Sequence, residues 1–269
     1  MSNLKPNAED IVLLHRIFGW HAIPWTDAFC DAVSRLETQP HTVLEVGASR
    51  LSAPSLYFLR KGASVDVTCY ADEEVPSLKA FCKSICEEYG LPVPPIRTHD
   101  VFSVTGQTYD VVILKGVLGG VDRNHNLNEF SRAIDCCLGM LSEKGRLIIL
   151  DKGWCSPVHN VLLRRFGNAG STDWHYFSQK ELDSLSRAGT PPLVIWKGFA
   201  SLGTMPFKGL QQAADFFDTC IFNRFLSQRG TVFAALYSND GIRKTPVSAE
   251  CGLGVSLSTP ENRAPVAQR

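Results

Sequence analysis

The chain has 269 residues, with 27 Lys plus Arg balanced by 27 Asp plus Glu, so its formal net charge is zero. That length can bury a large core. The neutral balance argues against a general nucleic-acid binder, which would be basic, and Arg164-Arg165 reads as a solvated helix face rather than a binding patch. No apolar run reaches the roughly 18 residues of a membrane span. Met1 to Asp10 is polar and lacks the apolar stretch of a signal peptide, so a cytoplasmic protein without membrane contact is expected. None of the nine cysteines has paired zinc spacing. Cys82 and Cys86, four apart on an expected helix, and the adjacent Cys136-Cys137 read as small core residues in a reducing compartment, and no metal site is expected.

In chain order, Ala8 to Gly19 has helical spacing, with Ile11, Leu14, Ile17 and Phe18 on one face. Trp20, His21, Trp25 and Phe29 follow, either covering the mouth of a site or packing on a sheet edge. Asp27 to Leu36 is a second helix. Thr42-Val43-Leu44-Glu45-Val46-Gly47-Ala48-Ser49 is an apolar run with one acid, closed by a glycine, which reads as a buried strand turning toward a helix over Leu51 to Lys61. Ligands of open α/β sheets bind at the carboxyl ends of such strands. Further strands are expected at Ser64–Tyr70, Pro95–His99, Tyr109–Leu114 and Arg146–Asp151, with helices over Val75–Tyr89 and Asn126–Leu141 and a turn at Ser142–Gly145. Strands alternating with helices of this size imply a parallel sheet.

The second half is expected to hold a helix over Trp154–Phe166 and one starting at Ser178, capped by the Ser178/Glu181 box and running to about Ala188. A strand at Leu193–Phe199, a Phe-rich helix over Gln211–Phe225 and a last strand at Thr231–Tyr237 follow. The expected organisation is an N-terminal helical cap (1–38), an α/β domain (39–238) and a disordered tail (239–269).

This order of elements resembles the class I S-adenosylmethionine-dependent methyltransferases of the small-molecule type over roughly residues 40–237. Val43-Leu44-Glu45-Val46-Gly47 is similar to that family's first motif. His99-Asp100-Val101-Phe102 resembles the end of its third strand, and Tyr109 to Leu118 its fourth-strand signature. Leu141 to Ile149 resembles the following helix–Gly–strand, and His175 to Gly189 the element before the sixth strand. The resemblance implies a three-layer sandwich around a mostly parallel seven-stranded sheet whose last strand is antiparallel. It implies S-adenosyl-L-methionine as cofactor. Glu45 would hold the ammonium, with Gly47, Ala48 and Ser49 forming the loop against the methionine part. Asp100 would accept from the adenine amino group, with Val101 and Phe102 against the ring, and Lys115 to Leu118 would lie beside the sulfonium and acceptor.

Two features depart from the pattern. The loop Gly47-Ala48-Ser49-Arg50-Leu51 has one glycine, and the position of the usual ribose-binding acid falls at Cys69 or Tyr70. Asp72 can substitute from just beyond, or Asp72-Glu73 simply supply charge to a helix N-terminus. The single glycine also speaks against a dinucleotide-binding turn and a dehydrogenase.

Candidate catalytic groups are His175, Lys115 and Asp151, with His125 and His159 as further bases should the acceptor carry a proton. Lys115 can bind an acidic acceptor or extend its stem to solvent. The aromatic segments Trp20–Phe29, Trp154, Trp174–Phe177 and Phe216–Phe225 can line a pocket for a small apolar molecule or belong to the core. The expected activity is methyl transfer to oxygen or nitrogen of a small molecule. The other reading is a methyltransferase-like fold without catalysis that serves as a partner subunit or binding module. The partner is a small-molecule acceptor, not nucleic acid, and a homodimer stays open.

Overall fold

The computed structural model describes residues 4–19, 22–50, 52–122, 126–154, 174–187, 190–198 and 230–239. Trp20, His21, His125, His159, Arg164-Arg165, the expected helix after Trp154, the helix over 211–225 and the tail from 240 lie outside the described residues.

Helix α1 (Ala8–Phe18) starts on a reciprocal box: the Asn7 side chain accepts from the Asp10 N–H, and the Asp10 carboxylate accepts from the Asn7 N–H. Leu13, Leu14, Ile17 and Phe18 are buried. Helix α2 (Ala22–Val33) begins five residues earlier than the sequence suggests. Pro24 is compatible with this because a first turn needs no donor there. Strand β1 (Thr42–Val46) then crosses the core. Helix α3 (Ser55–Arg60) is shorter than expected. Ser49 and Ser52 exchange both backbone hydrogen bonds in a tight turn, and Pro54 disfavours helical backbone at Ala53. The helix therefore cannot start before Pro54.

The remaining elements are β2 (Ser64–Cys69), α4 (Val75–Tyr89), β3 (Ile96–Thr98), β4 (Tyr109–Lys115), α5 (Leu127–Gly139), β5 (Leu141–Lys152), α6 (Gln179–Ser184), β6 (Leu193–Lys197) and β7 (Val232–Ser238). Helix α5 ends before Leu141, which already pairs with Tyr109; the next pair is Val111 with Arg146. The expected turn at 142–145 is thus an irregularity inside a long strand. Helix α6 ends at Ser184, short of Ala188, although the Ser178/Glu181 box forms as expected.

The strand order is β3-β2-β1-β4-β5-β7-β6. Strands β1 to β5 pair in parallel, and β7 runs antiparallel to both β5 and β6. Helices α1 to α4 cover one face, where Phe29, Tyr57 and Phe58 meet edge to face. On the other face α5 and α6 pack with Phe130, Phe177, Trp196 and Phe233. Cys69, Cys82, Cys86 and Cys137 are buried thiols within these cores. Among the described residues no helix is long and apolar enough to cross a membrane.

The N-terminal helices are fastened by charge as well as packing. Asp10 is fully buried and pairs with Lys61 Nζ at 2.7 Å and Arg60 Nε at 3.3 Å. The Tyr57 hydroxyl donates to the Leu4 carbonyl at 2.5 Å.

Candidate functional site

The sheet reverses its winding between β1 and β4, which are neighbours in space but not in sequence. That switch point is where an α/β sheet leaves a crevice at its carboxyl edge. Glu45, one residue before the end of β1, is fully buried. Its Oε2 accepts from the Ser55 N–H at 2.9 Å, while Oε1 has no hydrogen-bond partner. Burial lifts its carboxyl to about 7, against the opposing pull of Ser55 and Lys115. Gly47 then turns the chain with φ +76°. A Cβ there would stand 2.5 Å from Val117 Cγ2, so the glycine admits the loop after β4 directly onto the loop after β1. Ala48 is buried, and its N–H donates to the Thr68 carbonyl at 2.7 Å. Ser49 closes the tight turn described above. These contacts make a compact turn where an open glycine loop would otherwise stand.

Across the switch point, β4 ends in Lys115. By the alternation of the strand its side chain shares the face of Ile113, under α2. There Nζ lies 4.9 Å from the centre of the Trp25 ring. Burial pulls this ammonium down to about 8; Asp151 and Glu45 pull it back up, and Lys152 pushes it further down. Asp151 is fully buried at the end of β5 and burial pushes its carboxyl up. Both of its oxygens are engaged. Oδ2 accepts from the Gly119 N–H at 3.0 Å, and Oδ1 accepts from the Lys152 N–H at 2.7 Å and from Trp174 Nε1 at 3.1 Å. Asp151 therefore ties the loop after β4 to the indole that covers it. Trp174 lies against Gly119 and Gly120 so closely that a Cβ on Gly119 would stand 2.3 Å from Nε1. Lys152 places its ammonium 4.9 Å from the Trp174 ring centre and 5.9 Å from that of Tyr176.

His175 joins this group through its backbone, its N–H donating to the Gly119 carbonyl at 2.8 Å. Its ring packs between Phe130 and Phe177, and Nε2 faces Glu181 Oε1 at 3.0 Å. Burial would raise the Glu181 carboxyl, but hydrogen bonds from His175 and Ser178 outweigh it and hold it near 2. The imidazole is thus locked onto the helix cap by an ionised partner.

The third group sits at the ends of β2 and β3. Tyr70 is 67% exposed. Asp72 is exposed and accepts from the Thr98 hydroxyl at 2.8 Å, bracing β3. Asp100 is exposed, and its Oδ1 accepts from the Phe102 N–H at 3.0 Å in an Asx turn. Val101 is buried, and the partly buried Phe102 lies under the Arg132 guanidinium, 4.5 Å from the ring centre. The sequence reasoning overlooked Ser55 and Lys152. A lysine that ends each of two neighbouring apolar strands was the available signal for the latter. Among the described residues no group of three or more His, Cys, Asp or Glu side chains could hold a metal ion.

No protein-family profile matches the chain, and no curated protein matches it in sequence. Solved structures do match in shape. The pyocyanin biosynthetic protein PhzM superposes with a TM-score of 0.51 at 11% identity, over 78% of this chain and 54% of its own. A candidate sarcosine dimethylglycine methyltransferase from Galdieria sulphuraria gives 0.50 at 13%, over 81% and 85%. The mitomycin 7-O-methyltransferase MmcR gives 0.50 at 12%, over 85% and 53%. The chain thus spans about half the length of PhzM and MmcR. At such low identity the likeness speaks to architecture, and together with the strand order it gives the chain the seven-stranded α/β fold of the class I methyltransferases.

Proposed function

We propose that the protein binds S-adenosyl-L-methionine at the carboxyl ends of β1 to β4 and transfers its methyl group to an oxygen or nitrogen of a small molecule, as a cytoplasmic enzyme. The observation that carries this reading is Glu45: a fully buried carboxylate at the switch point with one oxygen left unpaired. An unpaired buried acceptor is costly, and a ligand ammonium would satisfy it. The residues at two other points also suit the cofactor. Asp100 is exposed at the end of β3 with Oδ1 alone engaged by Phe102, which leaves Oδ2 to accept from an adenine amino group. Val101 and Phe102 supply an apolar wall beside it. The ribose has a poorer match, because Tyr70 is no carboxylate and Asp72 is committed to Thr98.

When bound, the cofactor supplies a methyl carbon already activated by the sulfonium charge. The chain has to align the acceptor and exclude water. Trp25 and Trp174, both fixed by packing or hydrogen bonds, would wall the acceptor side. Asp151 acts by holding Gly119 and Trp174 in place. His175 has its Nε2 at 3.0 Å from Glu181 Oε1 and braces the cap of α6.

A second reading draws support from Val117. Its side chain covers the face of Gly47 that the methionine part of the cofactor would approach, as expected of a protein that keeps the fold as a binding module without catalysis. Calorimetric titration separates the two. With S-adenosylmethionine and S-adenosylhomocysteine, the first reading expects saturable micromolar binding that Asp100→Ala weakens by about tenfold. Absence of binding at millimolar cofactor to folded protein would sink it.

A further inference from the structure

Lys115 ends β4 with its ammonium against an aromatic face, and the acids Asp151 and Glu45 act on it only at longer range. Among the described residues its direct partner is the face of Trp25, at 4.9 Å, and it has no hydrogen bond or ion pair. The residue is half-buried, and with no acceptor on the protein its three N–H donors stay available to an acceptor that arrives. The nearby acids do not fill that role. Asp151 spends both oxygens on three N–H donors, and Glu45 gives one oxygen to Ser55, with its other oxygen assigned above to the cofactor's ammonium.

A second donor nearby is also unanswered. The Trp25 indole N–H is buried, the residue being 2% exposed, and Nε1 has no hydrogen-bond partner. A further positive charge stands close by. In the parallel pairing of β4 and β5, Lys115 lies opposite Leu150, so the pleat puts Lys152 two residues on and on the same face. Trp25 on α2, with Trp174 and Tyr176 around Lys152, gives the place flat aromatic walls.

We propose that Lys115, with Lys152 beside it, forms an anion subsite for the methyl acceptor, so that the acceptor is a planar aromatic molecule bearing a carboxylate. The inference rests on the methyltransferase reading for what it calls the acceptor, but the subsite itself stands on the side chains. Lys115 is the anchor of the anion, Trp25 lies against the ring, and Lys152 adds charge at longer range.

The test titrates 4-hydroxybenzoate and its neutral counterpart 4-hydroxybenzamide into the full chain, with and without saturating S-adenosylhomocysteine, following tryptophan fluorescence. The expected result is saturable binding of the carboxylate, about tenfold tighter than the amide. Lys115→Met should remove that preference and Lys152→Met should reduce it by about threefold, with homocysteine-nucleoside affinity unchanged in both. Thermal melts establish that each variant is folded. Should Lys115→Met fail to fold, Lys152→Met carries the test, expected to weaken the carboxylate and spare the amide. Equal binding of acid and amide overturns the proposal. So does a Lys115→Met variant that loses S-adenosylhomocysteine and keeps 4-hydroxybenzoate, since the ammonium would then serve the cofactor's own carboxylate. If S-adenosylhomocysteine never binds but the Lys115-dependent preference for the acid persists, the anion subsite holds and the methyltransferase reading falls.

Discussion

Two buried carboxylates in this molecule are treated in opposite ways. Asp10, on the helical face, leaves one oxygen without a hydrogen bond too, but it accepts from the Asn7 N–H and has two cations against it, the Lys61 ammonium and the Arg60 guanidinium. Glu45, at the carboxyl edge, has one backbone donor and an unpaired oxygen, and burial holds its carboxyl near 7. The first fastens α1 to α3. The second costs stability in its ionised form, and a protein retains such a group where it does something besides hold the fold. The difference separates the part of the molecule built to stay closed from the part built to receive a ligand.

The comparison breaks most visibly at its structural end. Asp10→Ala should destabilise the chain by ~3 kcal/mol, because it strands the Lys61 ammonium, leaves Arg60 with Glu9 alone and removes a helix box. Urea unfolding would measure this, and cofactor affinity should stay the same. If the change weakens the cofactor while sparing the fold, the two regions are not separate.

Next in size is Gly47→Ala. A positive φ with a side chain costs ~1 kcal/mol, and the new Cβ would stand 2.5 Å from Val117 Cγ2. Together they should cost ~2 kcal/mol in thermal or chemical unfolding. Adding Val117→Ala should recover about half by relieving the contact, which a double-mutant cycle reads directly. Strict additivity would mean the two loops do not press on each other.

The smallest effect has the opposite sign. The Glu45 carboxyl is raised from 4.5 in the unfolded chain to about 7, so its contribution to stability is complete below 4.5 and is lost as pH rises through 7. Glu45→Gln, which can still accept from Ser55, should therefore stabilise the protein by ~1 kcal/mol at pH 8 and change little at pH 4. The same variant should weaken S-adenosylmethionine by about tenfold. Stabilisation without loss of binding would leave Glu45 a structural relic.

Much of this was legible in the chain because strands advertise themselves. Val43 to Gly47 and Tyr109 to Lys115 are apolar runs ending in residues that an interior would not choose, and they proved to be the two walls of the switch point. Boundaries were less legible where local rules competed. Pro54 delays α3 past the start its apolar spacing suggested, and Pro24 admits α2 earlier. In the candidate site, Glu45 and Lys115 could be read from their strands. The answer of Lys115 to Trp25, ninety positions upstream, could not, because no periodicity relates them. Asp151 was visible as an acid at a strand end, but not that three donors converge on it.

Strand β7 gives the sheet an order of assembly. It lies between β5 and β6, and β6 touches the sheet only through it. A chain still lacking residues 232–238 leaves Arg146–Lys152 of β5 as an open edge and β6 without its pairing strand. Completion of the core therefore waits on the strand of this sheet that comes last in the chain, and chains cut before it would present an apolar strand edge to their neighbours.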